Sequence, residues 1–135
     1  MKALLCLLLA LGTPVEAAIV ETADGDWSQL PYLVQRGVDN LDQGVILGIQ
    51  AIAIKENCRL PGQEGPNLDS RLSFAAQFSP DGTLNRIILP RIDCPKVEGA
   101  LGGALIEMIK GCDYRPTGQS PEGWYQGRLT FSYQS

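Results

Sequence analysis

The chain has 135 residues, with 15 Asp plus Glu against 11 Lys plus Arg, no His and 4 Cys. This length suits one domain, and the formal charge of −4 supplies no basic field to concentrate nucleic acid or an anionic membrane surface. Without an imidazole, Ser-His-Asp and Cys-His catalysis, His-ligated zinc and His pH switching are all excluded.

Met1 and Lys2 precede an apolar run over residues 3–11, and Val15, Glu16 and Ala17 supply a signal-peptidase site. The pattern predicts a cleaved leader over residues 1–17 that takes Cys6 with it. The apolar run is about half of the roughly 20 residues needed to cross a bilayer, so no stable membrane insertion is expected. The short positive start and short apolar core look bacterial, which sends the mature chain to the periplasm or the medium.

Residues 18–37 mix Glu21, Asp24, Gly25 and Asp26 with few apolar groups and read as a loosely ordered arm, with Trp27 available to dock it. The domain proper is expected over residues 38–135. Val38, Leu41, Val45, Ile49 and Ile52 recur at helical steps, with Asp39 and Asp42 early and Lys55 late, which predicts a helix over 38–57. The β-branched run 46–54 is the competing argument, for a strand. Pro61, Gly62, Gly65 and Pro66 then predict a connecting loop.

Leu72, Phe74, Ala76 and Phe78 alternate with smaller or polar residues as a strand, Ser79-Pro80-Asp81-Gly82 supplies a turn, and residues 83–89 return before Pro90. Val97, Leu101, Ala104, Leu105, Met108 and Ile109 form a one-sided helical stripe between Pro95 and Gly111. Tyr125, Gly127, Leu129, Phe131 and Tyr133 alternate as a third strand. The expected fold class is α+β: a three-stranded antiparallel sheet in ββαβ order, with the third strand beside the first, plus an additional N-terminal helix.

The joint spacing of the Pro80-Asp81-Gly82 turn, the 97–110 helix and the Tyr114-Arg115-Pro116 exit resembles the C-terminal domain of TonB and TolA-type energy transducers, over residues 70–133. Cys58 to Gln63 and Gly123-Trp124-Tyr125 are also similar to small secreted proteins with a TonB C-terminal-like domain. Energy transducers carry an uncleaved membrane helix and a long Pro-rich spacer, neither of which is expected here, so energy transduction is not implied. The resemblance does imply an edge that captures a partner by strand addition, here residues 124–133. Against it, Arg128 and the C-terminal Gln134 and Ser135 could simply protect that edge.

After leader removal Cys58, Cys94 and Cys112 remain, which predicts one disulfide and one leftover thiol at Cys112. Cys94 and Cys112 flank a helix about 20 Å long and cannot pair, which leaves Cys58–Cys94, with Cys58–Cys112 as competitor. The preferred pair closes about 37 residues and contributes about 4 kcal/mol in the chain-entropy model. Glu98 and Glu107 lie on opposite helix faces and make no dyad, the Asp24, Asp26, Asp39 and Asp42 spacing is not a calcium loop, and Gly99, Gly102 and Gly103 do not form a phosphate cradle.

No catalytic, cofactor or metal residues are therefore expected, and no enzyme. The expected function is a secreted or periplasmic interaction module that binds an extended peptide, a protein edge or its own copy through Trp124, Tyr125, Arg128, Thr130, Phe131 and Tyr133. The alternative is an inhibitor or accessory factor of an envelope enzyme acting through the 118–125 loop.

Overall fold

The computed structural model describes residues 18–36 and 41–134. The expected leader lies outside these residues. The fold is mixed α and β, with nine elements in chain order: β1 (Ile19–Thr22), β2 (Val34–Gln35), α1 (Gln43–Lys55), β3 (Gln63–Glu64), β4 (Asn67–Phe78), β5 (Leu84–Leu89), α2 (Pro95–Lys110), β6 (Tyr114–Arg115) and β7 (Trp124–Tyr133). No helix among the described residues is long and apolar enough to cross a membrane.

The strands predicted by alternation form the centre of the sheet. β4 pairs antiparallel with β7 along its whole length, from Leu68 opposite Tyr133 to Gln77 opposite Trp124, and antiparallel with β5 at its C-terminal end. The hairpin turn is fixed by Asp81, whose carboxylate accepts from the Thr83 N–H at 3.0 Å, and by the Gly82 N–H bonding Ser79 O.

The sheet nevertheless has five strands, not three, and is not wholly antiparallel. Ile19–Thr22, expected in a loose arm, runs parallel to β5, with Ile19 opposite Arg86 and Thr22 opposite Leu89. Its Val20 side chain sits directly against Gly102 of α2, where any Cβ would collide with it. A four-residue edge strand is too short to carry a pattern, which is why sequence periodicity passes over it. The 59–69 segment is not only a loop either: Gln63–Glu64 folds back on β4. Gly62 enables this with φ +77, since a Cβ there would run into the Asp69 carbonyl.

Both helices cover one face of the sheet, α2 over β5 and β1 and α1 over β7, and they touch each other. α2 buries Val97, Leu101, Gly102, Leu105 and Ile109. Glu98, considered for acid chemistry and set aside, has a structural role: its carboxylate accepts from the Ile92 and Asp93 N–H groups at 2.7 and 3.2 Å and locks the turn into the helix. α1 is shorter than the predicted 38–57 helix. It begins after Asp42, whose carboxylate caps the Gly44 N–H at 3.0 Å, and ends before Asn57 at φ 57. Val38 lies outside the described residues.

Cys58 and Cys94 are disulfide-bonded, with Cα atoms 6.0 Å apart. The bond ties the exit of α1 to the entry of α2. Cys112 is also disulfide-bonded, so the leftover thiol expected there is corrected.

Candidate functional site: the outer edge of the last strand

The segment joining β1 to β2 starts at one edge of the sheet and ends at the other. Ala23 N–H still bonds Leu89 O beside β5, while Leu33 N–H bonds Gln126 O and Gln126 N–H bonds Pro31 O on β7. Between these points it crosses the sheet face opposite the helices. The Gln126 side chain donates to Leu30 O from that face, and Ala75 beneath is only 1% exposed. Residues 18–36 thus strap the sheet from edge to edge.

These contacts fix the parity of β7. Because Gln126 turns its N–H and C=O away from β4, so do Arg128, Thr130 and Ser132, while Gly127, Leu129 and Phe131 bond β4. The outward carbonyls are occupied in succession. Gln126 O takes Leu33 N–H, Arg128 O takes the Tyr114 hydroxyl at 2.7 Å, Thr130 O takes Leu41 N–H at 3.1 Å, and Ser132 O takes the Gln43 side-chain amide at 3.2 Å. The outward N–H groups of Arg128 and Thr130 have no hydrogen-bond partner among the described residues.

The two amides face a cleft of about 240 Å³ where the strap leaves β7 to pair, as β2, with β6. Tyr32, Leu33 and Gln35 form its strap wall, Arg128 and Thr130 its sheet wall, and Tyr114 reaches between them. The Tyr114 ring is held edge-on by Phe74 at 5.3 Å, so its hydroxyl is positioned by the core. Tyr32 is 58% exposed, an aromatic left over the cleft mouth. The Arg128 guanidinium is exposed and makes no ion pair among the described residues, whereas neighbouring Arg71 pairs with Asp69 at 3.9 Å.

The six residues expected to bind a partner do not share one surface. Tyr125 and Phe131 are buried at 2% and 0% and belong to the core. Both point to the helix side by strand alternation, the face opposite Arg128 and Thr130. Trp124 and Tyr133 are half-buried at the two ends of β7. Only Arg128 and Thr130 line the cleft. Sequence reasoning missed Tyr32, Gln35 and Tyr114; of these only Tyr114 had a signal, as part of the Tyr-Arg-Pro motif.

Tyr125 has a different task. Its hydroxyl accepts from the Gly118 and Ser120 N–H groups at 2.9 and 3.2 Å, which pins the 118–123 loop. Gly123, at φ +81, closes that loop because any Cβ would meet the Phe78 carbonyl. Among the described residues no three His, Cys, Asp or Glu side chains are grouped to hold a metal ion. No protein-family model matches the chain, and comparison with curated proteins and with solved structures finds no match.

Proposed function

We propose that this protein is a secreted or periplasmic, non-catalytic interaction module, TonB C-terminal-like in its ββαβ centre, that receives a short extended peptide segment at the β7 cleft. The observation that carries the reading is the pair of outward Arg128 and Thr130 amides, unpartnered among the described residues and two positions apart on an extended strand. Carbonyls of an extended peptide repeat at that same spacing, so two successive acceptors fit them. A full ladder is not needed. The partner supplies acceptors while the strand's own acceptors stay with Tyr114 and Leu41. Tyr32 offers an apolar contact and Arg128 a charge, which favours a segment with an acidic residue.

The test is to pan a random heptapeptide library against the protein with its Cys58–Cys94 bond intact and to map the selected peptide by amide chemical shifts. The largest shifts are expected at Arg128 and Thr130. Thr130→Pro should abolish binding while preserving the β4 ladder, because the Thr130 N–H points away from it. Shifts confined to β1 or to the 118–123 loop would discard the cleft. The loop remains a second reading, as an inhibitory tip for an envelope enzyme, because its double anchor on the Tyr125 hydroxyl makes it preorganised.

A further inference from the structure

A second surface, independent of the cleft, lies on α1. This helix buries Ile46, Ile49, Gln50 and Ala53 against the sheet and α2, but its other side is also apolar. Ile54 is 75% exposed and Leu47 47%, and with Gly44, Gly48 and Ala51 they form one continuous face at helical spacing. A water-facing helix surface is ordinarily polar. Gly48 is the sharper anomaly. A Cβ at this position would meet nothing within 4 Å, so packing inside the chain does not require glycine there. Glycine in mid-helix costs about 1 kcal/mol relative to alanine.

The ends of the face carry opposite charges. The Asp42 carboxylate folds back against Gly44, 3.0 Å from where its Cβ would be, and Lys55 lies at the other end of the same face. Neither makes an ion pair among the described residues. We infer that α1 is the interface of a two-fold symmetric dimer, in which it packs antiparallel against α1 of a second copy and crosses it next to Gly48. Large and small positions then interlock. Ile54 sits over Gly44 of the second copy, Leu47 over its Ala51, and Lys55 reaches its Asp42. The two apolar pairs are symmetric about the same point, as an isologous contact demands, and the charged pair is centred half a residue from it, within reach of the long Lys55 side chain. Gly48 lets the two backbones approach at the crossing.

Sedimentation velocity over a concentration series on the disulfide-bonded protein tests this. The wild type should dimerise reversibly. Gly48→Leu, which fills open space in the monomer and improves helix propensity, should raise the dimer Kd by about 30-fold or more, as loss of a central contact does. Its thermal midpoint, measured where both proteins are monomeric, should not fall. Ile54→Lys should have the same effect on Kd, and Lys55→Gln a smaller one that shrinks in high salt. A wild type that stays monomeric throughout overturns the inference, and so does a dimer whose Kd is unchanged by both Gly48→Leu and Ile54→Lys.

Discussion

The N-terminal segment contributes to the cover on both long sides of the central β5-β4-β7 sheet, joined along β7 by Tyr114 of β6, and the two sides are covered by different physics. Along β5 the cover is a ladder: β1 aligns four successive residues with Arg86 to Leu89. Along β7 the cover is a series of single contacts from Leu33, Tyr114, Leu41 and Gln43. A ladder consumes donors and acceptors alike, whereas point contacts consume whichever group they reach. Here they reach every outward carbonyl from Gln126 to Ser132 and leave the Arg128 and Thr130 amides without a partner among the described residues. Blunting an edge against aggregation therefore need not remove all of its binding capacity.

Four perturbations break or sharpen this comparison, from the largest effect down. Phe131→Ala should destabilise the fold by about 3–5 kcal/mol in denaturant melts, because the ring is fully buried among core side chains and is no contact surface. Glu21→Pro removes a donor that parity directs at β5 and should cost about 1–3 kcal/mol, since a ladder group loses its partner. Thr22→Pro, whose N–H points outward, should cost markedly less, and the difference between the two measures the ladder. Tyr114→Phe frees the Arg128 carbonyl and should cost about 1 kcal/mol while turning the cleft edge into a donor-and-acceptor edge. Self-association of that variant through β7, detected by light scattering, is its second expected sign.

The smallest effect is in acid. Hydrogen bonds from Thr83 hold the Asp81 carboxyl below its ordinary value of 3.8, and Ser28 does the same for Asp26. Both carboxylates are fully solvent-exposed. A depressed folded-state pKa adds stability above the unfolded value that is lost as pH falls through the folded one. The hairpin turn and the strap should therefore loosen slightly below about pH 4, with no change between pH 5 and 8, as amide exchange across that range would show.

What was legible in the sequence is what periodicity encodes. β4, β5, α2 and β7 all bury every second or every third-to-fourth residue, and the alternation at Leu72, Phe74, Ala76 and Phe78 reads directly as a buried face. The Cys58–Cys94 bond was legible because the intervening helix forbids a Cys94–Cys112 pair and because Cys58 and Cys94 approach the same end of the hairpin, which favoured it over the competing Cys58–Cys112 pair. The strap was not legible for a physical reason. Its decisive contacts are Pro31 O, Leu33 N–H and Leu41 N–H, which are backbone groups that every residue type supplies. The same holds for the open amides of Arg128 and Thr130, whose availability depends on parity relative to Gln126 and not on their side chains. Tyr125 and Phe131 illustrate the converse: aromatic identity suggested a binding surface, and strand alternation put both inside.

Residue-resolved amide hydrogen exchange on β7 tests the central claim most directly. The account predicts an alternating pattern: Gly127, Leu129 and Phe131 protected by β4, Gln126 protected by Pro31, and Arg128 and Thr130 exchanging orders of magnitude faster until a cleft-bound peptide protects both. Uniform protection along β7 without peptide would contradict it, because the Arg128 and Thr130 amides would then already be paired and the cleft would have no donors to offer.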